Sequence, residues 1–114
     1  MSIRVVLAED NYIVREGERQ LLESLDGIEL VAVCQDYDSV ISAIDEHRPD
    51  VLLTDIRMPP THTDEGIQAA RLLRTRHPQV GVVVLSQYAT PAYAHALFAD
   101  GSDGWLLRNV YADL

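Results

Sequence analysis

The chain has 114 residues, of which 47% are hydrophobic and 24% charged, and its formal net charge is −9. This length suits one globular domain, and the composition excludes a disordered chain. The acidic balance argues against a nucleic-acid or anionic-lipid surface in this chain. The short apolar runs and the absence of a signal-peptide pattern predict a cytoplasmic location. Cys34 is the only cysteine, so a buried, unreactive thiol is expected.

The first half of the chain predicts two strands and two helices. IRVVLA is an apolar strand, and the helix after it has Asn11 as N-cap and Gly27 beyond its end. The apolar face of this helix is formed by Val14, Leu21, Leu22 and Leu25. IELVAVCQ is the second strand. Asp38 or Ser39 caps the second helix, which ends before Pro49. Its apolar positions are Val40, Ile41 and Ile44.

The second half continues the alternation. VLLTD is a third strand, followed by a loop rich in Pro and Thr, in which Thr61 and Thr63 are expected to serve the turns and the N-cap of the third helix. That helix packs through Ile67, Ala70 and Leu73 and ends near His77. VGVVVLSQ is a fourth strand, residues 90–98 a fourth helix, and GWLLR a fifth strand.

Strands that are apolar at nearly every position are covered on both faces, which predicts a parallel sheet in an α/β fold. We expect a doubly wound five-stranded sheet of order 2-1-3-4-5, with residues 1–114 forming one domain. The last residues, YADL, could only open a fifth helix, so that helix is expected to be truncated or missing. A longer natural protein, or a partner that covers this face of the sheet, is the expected consequence.

Acidic residues follow two of the predicted strands. Glu9 and Asp10 come after the first strand and Asp55 ends the third. The carboxyl ends of parallel strands share one edge, so these carboxylates are expected to crowd together around a hard divalent cation such as Mg²⁺. Ser86 and Arg108 end the fourth and fifth strands and could bind a phosphoryl group by hydroxyl donation and bidentate pairing. The set supplies the parts that phosphoryl transfer needs.

The runs LAED, LLTDIRMP, VVLSQY and GWLLR resemble those of response regulator receiver domains, which are CheY-like. The likeness spans the chain and is greatest for the NarL/LuxR subfamily, especially actinobacterial members with a similar RMPPTHTDEG insertion. The resemblance implies a phosphorylation-dependent switch of a two-component system rather than a turnover enzyme. It also implies a histidine kinase as phosphoryl donor, a homodimer on activation, and control of transcription through a C-terminal helix-turn-helix domain that is absent here.

The resemblance also assigns roles to particular residues. Asp55 would be the phosphoacceptor, and Asp55 and Asp10 would ligate Mg²⁺ directly. Glu9 would act through water, and the backbone carbonyl of Arg57 would be a further ligand. Ser86 would move toward the phosphoryl group. Trp105 occupies the position of a switch Tyr or Phe.

Two departures from the family pattern keep an alternative open. Arg108 stands where the family has Lys, and Trp105 is larger than the usual aromatic residue. Both favour a degenerate receiver that acts as a phosphorylation-independent interaction or dimerisation module. An aspartyl phosphatase is disfavoured because Arg57 occupies the position of its general acid, and a Rossmann domain because no Gly-rich turn follows the first strand. The four histidines lack metal-ligand spacing, and His62 is expected to make at most a minor contact with the site.

Overall fold

The computed structural model describes the backbone of residues 2–86 and 104–107 and the side chains of residues 2–85. The strands are β1 (Ile3–Ala8), β2 (Ile28–Cys34), β3 (Val51–Asp55), β4 (Gly81–Ser86) and β5 (Gly104–Leu107). The helices are α1 (Tyr12–Ser24), α2 (Tyr37–His47) and α3 (Glu65–Arg76). The predicted fourth helix and the start of a fifth lie outside the described residues. None of the helices within the described ranges is long and apolar enough to cross a bilayer.

The strands form one parallel sheet in the order β2-β1-β3-β4-β5. β1 lies between β2 and β3, with Ala8 opposite both Cys34 and Thr54. Asp55 lies opposite Leu85 of β4, and Ser86 opposite Leu107 of β5. The predicted parallel α/β architecture is therefore confirmed. β2 lies on one side of β1, whereas β3, β4 and β5 lie on the other side, so the strand order reverses between β1 and β3. Open α/β sheets bind ligands in the crevice at the carboxyl ends of the strands where the order reverses.

The main core lies between the sheet and helices α2 and α3. The fully buried side chains of β1, β3 and β4 that face these helices include Val6, Leu52 and Val84. Ile44 of α2 and Leu73 of α3 close over them, each with 1% or less of its surface exposed. Burial of this apolar surface fixes the carboxyl ends of β1 and β3 relative to each other.

Helix α1 packs less deeply than its sequence predicts. Asn11 is the N-cap, because its side chain accepts a hydrogen bond from the Val14 amide at 3.1 Å. Leu21 and Leu25, expected on the packing face, are 61% and 47% exposed. Successive residues of a helix point about 100° apart, so adjacent residues can differ in burial, as Leu21 and Leu22 do. Leu22 is the partly buried one.

The cap of α2 differs from the prediction. Asp36, rather than Asp38 or Ser39, is the N-cap, and its carboxylate accepts from the Ser39 amide at 2.8 Å. Ser39 contributes as the reciprocal member of a capping box, with its hydroxyl oxygen 3.4 Å from the Asp36 amide. The helix therefore begins earlier than predicted, and it ends at His47, with Arg48 in the left-handed conformation just before Pro49.

Candidate functional site: an acidic crevice beside β1 and β3

Three carboxylates meet at the carboxyl edge of the sheet. Glu9 and Asp10 follow β1, and Asp55 ends the neighbouring β3. The parallel register brings the two strand ends level, because Ala8 lies opposite Thr54. One ligand atom from each carboxylate lies within 4.8 Å of the others. The cluster predicted from strand-end acids is thus present in the structure.

The three acids differ in their access to solvent. Glu9 and Asp55 are buried, with 2% and 8% of their surfaces exposed. The side chain of Asp10 is 28% exposed, so it is the most accessible of the three acids. Oδ1 of Asp55 accepts a hydrogen bond from the Ile56 amide at 2.8 Å, which fixes the orientation of this carboxylate. The Asp55 carboxylate is therefore oriented by the backbone, and solvent reaches the cluster mainly at Asp10.

Backbone contacts hold the β1–α1 connection in place. The Glu9 amide donates to the Cys34 carbonyl at 3.0 Å, which extends the sheet pairing past the end of β1. Arg15 reaches back from α1, and its Nη1 donates to the Glu9 and Asp10 carbonyls at 3.1 and 3.4 Å. These bonds use main-chain oxygens, so they position the two acids without occupying their carboxylates.

The loop between β3 and α3 is organised by a buried acid that the sequence did not single out. Glu65, the first residue of α3, is 1% exposed. Its carboxylate accepts from the Thr61 amide at 2.7 Å, the Thr63 amide at 3.0 Å and the Thr61 hydroxyl. The Met58 amide lies 3.4 Å from the same group. The only sequence signal for this role of Glu65 was its position in the first turn of a helix. Glutamate is common at that position, and its side chain is usually exposed.

The environment of Glu65 favours its ionised form. Burial by itself would raise the pKa of this carboxyl, but the hydrogen bonds from Thr61, from Thr63 and from its own amide outweigh burial. The pKa of Glu65 is lowered from 4.5 to about 2. Asp64 is the N-cap residue of α3 and makes no side-chain cap bond, so the predicted capping role of the threonines is wrong. Thr61 and Thr63 instead serve Glu65.

This loop carries His62 to the acidic crevice. Nε2 of His62 lies 3.3 Å from Oδ2 of Asp10, and the imidazole is 57% exposed. The residue has a positive φ of 55° and its amide donates to the Met58 carbonyl at 2.9 Å. The sequence allowed only a minor contact for His62, whereas the structure places it directly beside one of the three acids.

The donor set fits a hard divalent cation. Three carboxylates in one crevice repel one another unless a cation neutralises them, and Mg²⁺ prefers oxygen ligands of this kind. Arg57, two residues beyond Asp55, lies in the loop between β3 and α3. The backbone of Ser86 lies at the end of β4, and the backbone of Trp105 lies in β5. Arg108 lies outside the described residues, so its predicted contact with the site stays a prediction.

Comparison with known proteins agrees with this arrangement. The family described as the response regulator receiver domain matches residues 5–113. The chain belongs to this family. Its fold is therefore the CheY-like receiver fold, and receiver domains typically bind Mg²⁺ at an acidic pocket, a feature that the cluster of Glu9, Asp10 and Asp55 matches.

The receiver domain has relatives of the NarL and DegU type. It is 33% identical to the transcriptional regulatory protein DegU of Brevibacillus brevis over 98% of this chain and 46% of DegU. It is 29% identical to the oxygen regulatory protein NreC of Staphylococcus haemolyticus over 94% of this chain and 48% of NreC. The chain thus spans about half the length of these curated relatives.

Solved structures support the same grouping. The signal receiver domain of NarL from Mycobacterium tuberculosis superposes with a TM-score of 0.86 at 31% identity, covering 93% of this chain and 83% of that one. A LuxR-family response regulator from Aurantimonas gives a TM-score of 0.86 at 28% identity, covering 95% of this chain and 75% of that one. The receiver is of the NarL/LuxR type.

Proposed function

We propose that this receiver accepts a phosphoryl group from a histidine kinase on Asp55. The observation that carries the proposal is the meeting of Glu9, Asp10 and Asp55, whose ligand atoms lie within 4.8 Å of one another at the end of β1 and β3. In the transfer, the N–P bond of the donor phosphohistidine breaks as a carboxylate oxygen of Asp55 forms an O–P bond. The departing imidazole keeps the electron pair and takes up a proton from solvent.

Mg²⁺ is the proposed cofactor. Asp10 and Asp55 would hold it directly, Glu9 through water, and the backbone carbonyl of Arg57 would complete the protein ligands. The ion supplies neutralisation of the charge that gathers on the phosphoryl oxygens during transfer. The chain's own part is to hold the Asp55 carboxylate in one orientation, through the 2.8 Å hydrogen bond from the Ile56 amide. A reacting group that is already oriented loses little entropy on reaching the transition state.

Ser86 of β4, Trp105 of β5 and Arg108, which follows β5 in the sequence, complete the proposed site. Ser86 would donate its hydroxyl to a phosphoryl oxygen, Arg108 would pair with another, and Trp105 would respond as the switch aromatic. Their support is the family's pattern and the backbone placement of Ser86 opposite Leu107 at the same edge as Asp55.

The proposed output is control of transcription. DegU is by name a transcriptional regulatory protein. We infer a DNA-binding output domain in the full-length protein, and dimerisation of the receiver on phosphorylation as the signal that reaches it. The net charge of −9 is consistent with DNA contact through another domain.

The test is phosphorylation with acetyl phosphate and Mg²⁺, followed on a Phos-tag gel and by mass spectrometry of the intact protein. We expect one phosphoryl group on the wild type and none on Asp55→Asn or after chelation of the metal by EDTA. Asp26→Asn, an exposed acid after α1, is the matched control and should be labelled like the wild type. Labelling that persists in Asp55→Asn would exclude Asp55 as the acceptor.

A second candidate function is a phosphorylation-independent interaction module. Arg108 in place of the family's Lys favours it, because a guanidinium fork differs in size and shape from a compact ammonium group. Light scattering with and without acetyl phosphate separates the two. Dimerisation that requires phosphorylation supports the switch, whereas dimerisation unchanged by acetyl phosphate supports the module.

A further inference from the structure

Glu65 is a buried acid that the proposed phosphoryl transfer does not use. Only 1% of its surface is exposed, whereas charged side chains are almost never fully buried unless they are paired. The hydrogen-bond donors to its carboxylate lie between Met58 and Thr63, in the loop that follows Asp55. Burial of a charge costs free energy unless hydrogen bonds compensate it, so the carboxylate and the arrangement of this loop depend on each other.

Arg57 lies between two peptide groups that the start of α3 holds. The Ile56 carbonyl, which belongs to the peptide group before Arg57, accepts from the Gly66 amide at 2.8 Å. The Met58 amide, which belongs to the peptide group after Arg57, donates to Oε1 of Glu65 at 3.4 Å. Two consecutive residues of one helix therefore hold the backbone on both sides of Arg57.

The contact with the Met58 amide bears on the Arg57 carbonyl, the backbone oxygen proposed above as a metal ligand. The Arg57 carbonyl and the Met58 amide belong to one trans peptide group. A peptide group is planar, and in its trans form the N–H and the C=O point in opposite directions. A carboxylate that holds this N–H therefore also sets the direction of the carbonyl oxygen.

The other bonds of Glu65 keep its carboxylate within reach of Met58. The carboxylate accepts from the Thr61 amide at 2.7 Å and from the Thr63 amide at 3.0 Å. The His62 amide donates to the Met58 carbonyl at 2.9 Å, which closes the loop back onto Met58. The 3.4 Å contact with the Met58 amide is longer than these bonds and would be weak by itself. The anchored carboxylate and the closed loop keep that contact in place.

The direction of a ligand matters most to an ion with strict geometry. Mg²⁺ demands near-ideal octahedral coordination, whereas Ca²⁺ accepts oxygen ligands in a flexible arrangement. We propose that Glu65 is a positioning residue of the metal site, which sets the direction of the Arg57 carbonyl through the shared peptide group and so favours Mg²⁺ over Ca²⁺. The inference rests on the proposed function for the metal at the acidic crevice and for Arg57 as one of its ligands.

Two other roles of Glu65 make different predictions. If the carboxylate acts only through its negative charge, removal of the charge weakens the binding of both divalent ions alike. If it only stabilises the fold, the folded variant binds both ions as the wild type does. A positioning role lowers the preference for Mg²⁺ over Ca²⁺. The ratio of the two affinities therefore separates the positioning role from both others.

The experiment is titration of the folded protein by Mg²⁺ and by Ca²⁺, followed through the NMR shifts of the Glu9 and Asp10 amides. We expect Glu65→Gln to weaken Mg²⁺ binding by about 10-fold, while Ca²⁺ binding changes far less. Glu46→Gln makes the same chemical change at an exposed position of α2 and should leave both affinities unchanged. Ile44→Val, which removes a methyl group from the core, controls for lost stability and should also leave them unchanged. An unchanged affinity ratio in Glu65→Gln would overturn the proposal.

A second variant separates reach from charge. Glu65→Asp keeps the charge but shortens the side chain by one CH2 group, so the carboxylate no longer reaches the Met58 amide. We expect this variant to lower the preference for Mg²⁺ as well, and a wild-type ratio here would contradict the positioning role. It also supplies the measurement if Glu65→Gln does not fold.

Acetyl phosphate labelling of the wild type keeps this inference distinct from the proposed function. Labelling on Asp55, together with an unchanged ratio of Mg²⁺ to Ca²⁺ affinity in the Glu65 variants, rejects the positioning role and leaves the phosphoacceptor standing. A wild type that is not labelled rejects the proposed function instead.

Discussion

Gly66 lies directly against the backbone of Asp55. A Cβ atom at Gly66 would overlap the Asp55 carbonyl oxygen and lie 3.0 Å from both the Asp55 carbonyl carbon and the Ile56 Cα. The Gly66 amide donates to the Ile56 carbonyl at 2.8 Å, so the start of α3 is bonded to the residue after the proposed phosphoacceptor. The absence of a side chain here allows the helix to approach the site this closely.

Gly66→Ala should therefore destabilise the protein by about 3 kcal/mol, because the added methyl group meets backbone that cannot move aside cheaply. Urea denaturation followed by circular dichroism measures the change. Gly17→Ala is the control: Gly17 lies within α1, and a methyl group added there would meet no atom within 4 Å outside its own stretch of helix. We expect that variant to be stabilised by about 0.5–1 kcal/mol. Equal stability of the two variants would show that α3 is not held against Asp55.

Glu65→Gln should weaken the β3–α3 loop. The amide side chain lacks the charge and one of the acceptors that Thr61 and Thr63 use, and we expect a loss of about 1–3 kcal/mol at pH 7. The folded protein holds the pKa of Glu65 at about 2, below the unfolded value of 4.5. The ionised carboxylate thus stabilises the fold fully above pH 4.5, and this contribution is lost as the pH falls toward 2.

The stability difference between the wild type and Glu65→Gln should consequently shrink below pH 4.5 and vanish near pH 2. Urea midpoints over this range provide the measurement. Glu46→Gln, on the exposed side of α2, should stay within about 0.5 kcal/mol of the wild type. A gap between wild type and Glu65→Gln that is independent of pH would contradict the role of the charge.

The N-cap of α2 offers a test of the corrected helix start. Asp36→Ala removes the acceptor for the Ser39 amide and should cost about 1 kcal/mol of stability. Asp38→Ala removes an acid of the first turn that makes no cap bond and should cost about 0.5 kcal/mol or less. Thermal or urea unfolding distinguishes them, and a larger loss for Asp38→Ala would return the cap to the position predicted from sequence.

Trp105 is the only tryptophan, so its fluorescence can be used to test the proposed switch. Its backbone lies on β5 opposite Val84 of β4, two residues before Ser86. We expect beryllofluoride with Mg²⁺, which mimics the phosphoryl group, to change the emission of the wild type but not of Asp55→Asn. If calorimetry establishes that beryllofluoride binds and the wild-type emission is nevertheless unchanged, Trp105 does not respond to the site.

The sequence by itself determined the parallel α/β architecture and the meeting of Glu9, Asp10 and Asp55. Both follow from local patterns, because fully apolar strands require cover on both faces and parallel strands end at one edge. The packing residues of α3, Ile67, Ala70 and Leu73, were also predicted correctly from helical spacing, and all three are buried.

Only the tertiary structure decided which distant segments are in contact, and which of several neighbouring residues makes a given local contact. The sequence predicted Asp38 or Ser39 as the N-cap of α2, whereas the fold selected Asp36 because its carboxylate reaches the Ser39 amide. The side of α1 that faces the sheet, with Leu22 inward and Leu21 exposed, depends on how the helix docks. The same holds for Glu65 and His62: a loop rich in polar residues has many possible partners, and the packing of α3 against the Asp55 backbone determines that Glu65 is buried and His62 lies beside Asp10.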